Sequence, residues 1–233
     1  DKKASSNAGF FYWNKRKRSV KKHNLDLSTI ATILYSEDHA RVELPVCDHY
    51  AGRPRFFEKA LQIRAEIGAC FDITLDLEDG AAVGQETETA KWVAQSLLDF
   101  SVRYGCETRR PGVRIHPVRD PIFEVELPIV LREGVPLPAY LMLPKPENCE
   151  DVKLTISRIR EQCAKAGVEP PPLHVLIETH GALADVQAIA GLEAVESLSF
   201  GIMDFISSHR SAIPKTALNS PGQFENPLVR RAK

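Results

Sequence analysis

The sequence predicts an α/β protein of the (β/α)8 TIM-barrel class, with six of the eight strands readable in its 233 residues. Apolar runs typical of strands alternate with amphipathic segments at helical spacing, which indicates βαβ units and a parallel sheet. These strands are short and end in charged residues, which favours a barrel over a doubly wound sheet. No Gly-x-Gly-x-x-Gly motif follows the first strand, which argues against a dinucleotide-binding fold. We expect the last strands to lie beyond Lys233, unless the sheet closes in another way.

The alternation begins at Arg41, so the barrel domain is assigned to residues 41–233, with its C-terminal part expected to be incomplete. The predicted strands are Val42–Cys47, Ile73–Leu77, Val113–Ile115, Tyr140–Leu143, Val175–Ile177 and Ser197–Ile202. The predicted helices are Arg55–Ile67, Glu86–Tyr104, Ile122–Arg132, Cys149–Ala166, Ala182–Ala190 and Gln223–Lys233.

Residues 1 to about 28 differ from the rest because they are polar and contain the dense basic run Lys15–Lys22. We assign residues 1–40 as a basic N-terminal extension or leader and interpret the polar part as solvated. A nucleic-acid-binding module built on the basic run is a remote alternative.

The composition narrows the class of partner. The net charge is −1 at pH 7, which provides no basic field for a nucleic acid. No apolar run approaches the length of about 20 residues that a membrane-spanning helix needs. The five cysteines are scattered without a Cys-x-x-Cys pair, which is typical of reduced thiols. We therefore expect a cytoplasmic protein without a nucleic-acid or membrane partner.

Two carboxylates at strand ends carry the strongest chemical signal. Glu178 ends the run that starts at Leu173, and Asp204 ends the run that starts at Ser197. Two acids at the carboxyl ends of successive buried strands can present oxygen ligands to Mg²⁺ or Mn²⁺. No histidine or cysteine cluster accompanies them, which argues against zinc. The alternative is that each acid caps a helix or forms a salt bridge.

Basic residues define a second group of candidates. Arg114 follows an apolar stretch, so it requires a partner: a substrate oxygen, or an internal ion pair with Glu78 or Asp79. Arg53 and Lys59 lie at the start of the first predicted helix, where they could receive an anionic group. A solvated helix face is the alternative for these two.

Seven motifs in order make the sequence resemble the HpcH/HpaI aldolase/citrate lyase family, and within it the citrate lyase β-subunit-like and malyl-CoA lyase branch. The resemblance covers residues 41–233, and its strength lies in the order of motifs that are individually weak. The motifs are RPRFFEKA (Arg53–Ala60), LDLEDGAAV (Leu75–Val83), GVRIHP (Gly112–Pro117), LMLPKPEN (Leu141–Asn148), LIETHGA (Leu176–Ala182), FGIMDF (Phe200–Phe205) and SPGQFENP (Ser220–Pro227).

The resemblance implies a Mg²⁺-dependent barrel enzyme that makes or breaks carbon–carbon bonds, often in acyl-CoA thioesters. It implies a homo-oligomer, a trimer or hexamer. Glu178 and Asp204 resemble the metal ligands, with Glu178 also close to the substrate, and Arg114 resembles the residue that binds substrate oxygens.

The same resemblance extends to the remaining candidates. Arg53 and Lys59 match residues that contact the substrate or its CoA portion. Glu78 and Asp79 match the acidic run near the active site.

Some positions depart from the family pattern. His116 stands where asparagine is usual, and residues 47–52 replace a common short loop before Arg53. The lyase branch also uses an acid from its C-terminal region, which we expect beyond Lys233.

The predicted function is a Mg²⁺-dependent lyase that cleaves or forms a 3-hydroxyacyl-CoA such as malyl-, citramalyl- or citryl-CoA, with Arg114, Glu78 and Asp79 as catalytic candidates. One alternative is a metal-dependent aldolase that acts on a free 2-oxo acid without CoA. Another is a catalytically silent subunit of the same fold. The sequence leaves the acyl group and the general base open.

Overall fold

Six parallel strands frame the protein in the computed structural model, which describes residues 44–45, 47–105, 108–210 and 212–233. The strands pair in chain order without a switch point, whereas a doubly wound sheet reverses its strand order. The sheet therefore curls as a half-barrel, consistent with a partial TIM-type barrel, and the full count of eight strands stays a prediction. The strands are β1 Asp48–Ala51, β2 Asp72–Asp76, β3 Gly112–Arg114, β4 Leu141–Leu143, β5 Leu173–Ile177 and β6 Val195–Phe200.

Helices follow the strands and cover the outer face of the sheet. None of those in the described residues is long and apolar enough to cross a bilayer. A 3₁₀ turn spans Lys215–Leu218. The helices are α1 Pro54–Ile67, α2 Glu86–Tyr104, α3 Pro121–Val130, α4 Cys149–Ala166, α5 His180–Ala184, α6 Val186–Ala190, α7 Ile202–Ser208, α8 Gly222–Glu225 and α9 Pro227–Ala232.

Local capping explains where the central helices begin and end. The Asp120 side chain accepts a hydrogen bond from the Ile122 N–H at 2.9 Å, and the Asn148 side chain accepts one from the Asp151 N–H at 3.0 Å. Helix α4 ends at Gly167, which has a left-handed φ of 68°. The Asp120 and Asn148 caps thus lie within six residues of the ends of β3 and β4.

The sheet has an outer apolar face and an inner face that is partly polar. On β4, Leu141 and Leu143 belong to the core under the helices, whereas Met142 and the preceding Tyr140 lie in a separate inner cluster. The Tyr140 hydroxyl lies 2.6 Å from the Thr74 hydroxyl, and its ring stacks on the His174 ring with centroids 3.8 Å apart. This division is the one expected for a sheet that curls around an interior.

The first strand differs from the prediction. The described part of Val42–Cys47 (residues 44, 45 and 47) is not in a strand, and the rest of that run lies outside the described residues. The observed strand is β1, whose inner positions Asp48 and Tyr50 are polar, so apolar patterning did not indicate it. Residues 47–52 are therefore mostly a strand rather than a replaced loop. The predicted extension at residues 1–40 also lies outside the described residues.

The C-terminal elements are shorter than predicted. The run Ala182–Ala190 is divided at Asp185 into α5 and α6, and the run Gln223–Lys233 is divided at Asn226 into α8 and α9. The Asn226 side chain accepts hydrogen bonds from the first turn of α9, so it starts a new helix instead of continuing the previous one.

Candidate active site

A cavity of about 420 Å³ opens where the strands end. Its charged lining comes from Asp48 on β1, Asp79 after β2, Arg114 on β3, Glu178 after β5 and Asp204 after β6. Four of the seven predicted site residues therefore share one cavity: Asp79, Arg114, Glu178 and Asp204.

Arg114 is held by three carboxylates, one at the end of β2 and two in the loop that follows it. Its Nε and Nη2 donate to the two oxygens of Asp76, each at 2.7 Å. Nη2 also lies 2.8 Å from Asp79, and Nη1 lies 3.0 Å from Glu78. Burial opposes the charged form, but the Asp76 hydrogen bond and the three negative charges raise the pKa of Arg114 above its ordinary value. The guanidinium is thus a fixed cation at the cavity wall.

Two residues of β1 complete this wall, and the sequence prediction missed both. The Arg114 guanidinium lies over the Tyr50 ring, with its Cζ 4.9 Å from the ring centroid. The Tyr50 hydroxyl donates to the Met142 sulfur at 2.8 Å. Asp48 accepts a hydrogen bond from the Tyr140 hydroxyl at 3.2 Å. Burial raises the pKa of Asp48 above its usual range. Pro54 marks the start of α1 and so bounds the strand on its C-terminal side, but no signal in the sequence places the start of that strand.

Glu78 lies behind the cavity and does not line it. It forms an ion pair with the Lys145 ammonium as well as with Arg114. Burial raises the pKa of Glu78, while Lys145 and Arg114 oppose that rise. Glu78 is consequently placed to hold cations rather than to reach a ligand directly.

Glu178 is the most buried of the cavity acids, with a relative exposure of 3%. One oxygen accepts a hydrogen bond from the Lys145 backbone N–H at 2.8 Å. Gly201 makes room for the side chain: a Cβ atom there would lie 2.8 Å from the Glu178 Cβ and would collide with Oε2. Burial raises the pKa of Glu178 to about 7, and the charge of Asp204 adds to this rise against the Lys145 hydrogen bond.

Asp204 does not end a strand, which corrects the prediction. Strand β6 stops at Phe200, and Asp204 lies in the first turn of α7. The run around Gly201 is apolar on both sides, and short apolar runs do not distinguish a strand from a helix. The carboxylate still reaches the cavity, lies 3.7 Å from the Lys145 ammonium, and is 41% exposed at its side chain.

The donor set fits a small hard cation that takes two protein ligands. Glu178 and Asp204 both supply carboxylate oxygens to the cavity, and the charge of Asp204 contributes to the raised pKa of Glu178. No cluster of three or more histidine, cysteine, aspartate or glutamate ligands occurs within the described ranges. Mg²⁺ commonly takes one or two carboxylates and completes its octahedron with water and substrate.

Arg53 and Lys59 lie apart from the charged cavity. Arg53 is exposed and lines a neighbouring cavity of about 550 Å³, together with Gly80 and Trp92. Lys59 is exposed on α1 and lines neither of these two cavities. Their predicted contacts with the distal part of a substrate stay predictions.

His116, which departs from the family pattern, anchors a helix. Its backbone N–H donates to Glu126 at 2.6 Å, and its Nδ1 lies 2.7 Å from the other Glu126 oxygen. Burial alone would lower the pKa of His116, but Glu126 raises it. The ring is committed to α3 and does not line the charged cavity.

The loops after β4 and β5 are joined directly. The Thr179 hydroxyl donates to the Pro146 carbonyl at 2.5 Å and accepts from the Ala182 N–H at 3.0 Å. A Cβ at Gly181 would collide with the Glu147 carbonyl oxygen, so glycine permits the close approach. These contacts therefore fix the backbone next to Lys145 relative to the backbone next to Glu178.

The chain is similar in sequence and fold to proteins of one known family. A family model described as HpcH/HpaI aldolase/citrate lyase matches residues 60–215. A search of curated proteins gave no match. A citrate lyase structure from Burkholderia xenovorans LB400 is 44% identical, with a TM-score of 0.75, over 82% of this chain and 59% of that chain.

Two Mycobacterium tuberculosis structures have the same fold at lower identity. A citrate lyase beta subunit complexed with oxaloacetate and magnesium is 20% identical, with a TM-score of 0.58, over 81% of this chain and 70% of that chain. Protein CitE in complex with magnesium, acetoacetate and coenzyme A is 21% identical, with a TM-score of 0.55, over 80% of this chain and 57% of that chain. The chain thus spans less than two thirds of the length of the Burkholderia relative.

Proposed function

The chain belongs to the HpcH/HpaI aldolase/citrate lyase family, and from this premise we propose that it is a divalent-metal-dependent carbon–carbon lyase. The family match confirms the resemblance found in the ordered motifs. The proposed cofactor is Mg²⁺, with Mn²⁺ as a substitute. The proposed substrate is a 3-hydroxyacyl-CoA such as malyl-, citramalyl- or citryl-CoA, handled by a homo-oligomer. The observation that carries the proposal is the convergence of Glu178, Asp204 and Arg114 on one cavity.

The two acids after β5 and β6 have the role of cation ligands in this proposal. Glu178 and Asp204 would hold Mg²⁺, which when bound acts as a Lewis acid on substrate oxygens and as a template for the substrate. Glu178 is buried and braced by the Lys145 N–H, so its orientation is set before a ligand arrives.

The Arg114 side supplies charge stabilisation and a site for the proton. Arg114 would donate hydrogen bonds to the oxygen on which negative charge develops as the carbon–carbon bond breaks. Of the two acids proposed as catalytic, Asp79 lines the cavity and is 61% exposed at its side chain, so it is the one that can accept the hydroxyl proton. Glu78 would hold Arg114 and Lys145 in place.

The direct test is turnover of the purified full chain with Mg²⁺ and each of malyl-CoA, citramalyl-CoA and free 2-oxo acids. We expect cleavage of at least one thioester. Glu178→Gln should reduce it at least about a hundredfold, because losing a ligand costs more than losing an outer-shell partner. Glu169→Gln is the control, since Glu169 is exposed and lines neither cavity.

Negative outcomes distinguish the alternatives. Metal binding that requires Glu178 but occurs without any turnover would indicate a catalytically silent subunit. No turnover, together with metal binding that is indifferent to Glu178→Gln, would overturn the proposal.

A metal-dependent aldolase acting on a free 2-oxo acid is the second candidate function. It is favoured by the oxaloacetate in one structural relative and by the position of Arg53 and Lys59 outside the charged cavity. This candidate predicts no competition by CoA and no effect of Arg53→Ala or Lys59→Ala on turnover. The lyase proposal predicts that CoA competes and that both variants raise KM.

A further inference from the structure

Lys145 contacts both acids of the proposed metal site. Its backbone N–H donates to the Glu178 Oε1 at 2.8 Å, and its ammonium lies 3.7 Å from the Asp204 Oδ2. The same ammonium forms an ion pair with Glu78, which in turn lies 3.0 Å from the Arg114 Nη1. One residue therefore joins the two metal-binding acids to each other and to the Arg114 group.

The backbone of Lys145 supports a specific role for this position. Its φ is 50°, in the left-handed region that residues other than glycine rarely adopt. Such a conformation persists only where the surroundings enforce it, and it is concentrated at functional sites. Here it belongs to the residue whose N–H binds Glu178, next to the joined loops after β4 and β5.

The Lys145 ammonium makes a contact with Asp204 that no other described side chain makes. Within the part of the chain that the structure describes, Lys145 is the cation that faces the Asp204 side chain. The Asp204 side chain is 41% exposed, so packing restrains it less than it restrains the buried Glu178. Without the ammonium, the like charges of Glu178 and Asp204 would favour a wider separation of the two carboxylates.

We propose that Lys145 is the positioning residue of the metal site: its N–H orients Glu178, and its ammonium orients Asp204 and Glu78. Lys145 does not line the charged cavity, so it acts through these acids and not on the substrate. This inference rests on the proposed function, because it requires a metal at Glu178 and Asp204. The opposing model is that the ammonium competes with the metal for the same carboxylates.

The two models predict opposite changes in metal affinity. The experiment measures the Kd of Mn²⁺ without substrate, by electron paramagnetic resonance of the free ion, for the full chain and its variants. Lys145→Met removes the charge and keeps a side chain at the left-handed position. We expect it to raise the Kd about tenfold or more, as loss of an outer-shell partner does. Lys145→Arg keeps the charge and should stay within about threefold of wild type.

Lys145→Gly is the second charge-removing variant, because glycine adopts the left-handed conformation without strain and favours folding. It should raise the Kd as Lys145→Met does. An unchanged or lower Kd in both variants would overturn the inference, even if their melting temperatures fall, since a purely structural role lowers stability without changing affinity. Wild-type protein that binds no Mn²⁺ would instead overturn the proposed metal site itself.

Discussion

The two sides of the charged cavity are built on different principles. On the side of β2 and β3, Arg114 is surrounded by Asp76, Glu78 and Asp79 at 2.7–3.0 Å. On the side of β5 and β6, the polar contacts that the structure gives the side chains of Glu178 and Asp204 all come from Lys145.

The difference separates an ion-paired region from two acids that have one cationic neighbour in the described part of the chain. On the first side three carboxylates contact the same guanidinium, so Arg114 is held in place and can face a substrate without rearrangement. On the second side the two carboxylates share Lys145, and burial together with the Asp204 charge raises the pKa of Glu178 to about 7. The following four changes test this contrast, from the largest expected effect to the smallest.

Arg114→Ala should destabilise the ion-paired side of the cavity. Removing the guanidinium leaves Asp76 and Glu78 buried without their shared partner, which should lower the free energy of unfolding by about 3–5 kcal/mol. Urea denaturation measures this loss. The exposed Arg158, paired at 3.4 Å with Glu124, is the control, and Arg158→Ala should stay within about 0.5 kcal/mol. A loss below about 1 kcal/mol for Arg114→Ala would contradict the contrast.

The stability of the metal-free protein should fall as pH rises, because of Glu178. Its folded pKa is about 7 against an ordinary value of 4.5, so the native state binds its proton more tightly than the unfolded chain. The contribution is therefore full below pH 4.5 and is lost as pH rises through 7, and it amounts to about 3 kcal/mol.

Other groups titrate over the same range, so the measurement is a difference. Urea denaturation at several pH values compares wild type with Glu178→Gln, which has no carboxyl group to titrate at this position. The difference in free energy of unfolding between the two proteins should change by about 3 kcal/mol between pH 4.5 and pH values above 7. A gap independent of pH would show that burial of Glu178 does not perturb its ionisation.

Gly201→Ala should disturb only the side of the cavity that carries Glu178 and Asp204. Its Cβ would collide with the Glu178 carboxylate, forcing that side chain to move. We expect the Mn²⁺ Kd to rise about 10- to 100-fold, as when a ligand loses its support. Gly191→Ala is the control, because its Cβ would meet nothing closer than 3.5 Å. Equal affinities for the two variants would show that Glu178 does not bind the metal.

Asp79→Asn should have the smallest effect on folding. The Asp79 side chain is 61% exposed, and Arg114 keeps its two closer contacts with Asp76. The free energy of unfolding should change by less than about 1 kcal/mol. If Asp79 accepts the proton, turnover should nevertheless fall. A stability loss as large as that of Arg114→Ala would place Asp79 within the structural ion-pair group.

The sequence predicted well the strands whose apolar residues form a clear pattern. Strands β2 and β5 are fully buried and contain apolar residues at alternate positions or in an unbroken stretch, Ile73 and Leu75 in β2 and Val175–Ile177 in β5, so apolar patterning located them. Strand β1 carries Asp48 and Tyr50 toward the interior, and this polar inner face hid it from the same reasoning.

The sequence predicted the residue types of the candidate site but not the contacts between them. Acids at strand ends indicated a cation site, and the ordered motifs indicated the family. The pairing of Lys145 with Glu78 joins residues 67 positions apart, and no local pattern encodes such a contact. The helix that carries Asp204 was equally hidden, because an apolar run around Gly201 suits either type of element.

The Thr179–Pro146 hydrogen bond and the close approach at Gly181 have a consequence for engineering. Both contacts use backbone carbonyl oxygens, of Pro146 and Glu147, which a change of side chain at those two positions leaves in place. The other partners depend on residue identity, because Thr179 supplies a hydroxyl and Gly181 lacks a Cβ. In an exchange of sequence with a relative, Thr179 and Gly181 should therefore be kept, whereas positions 146 and 147 should tolerate replacement.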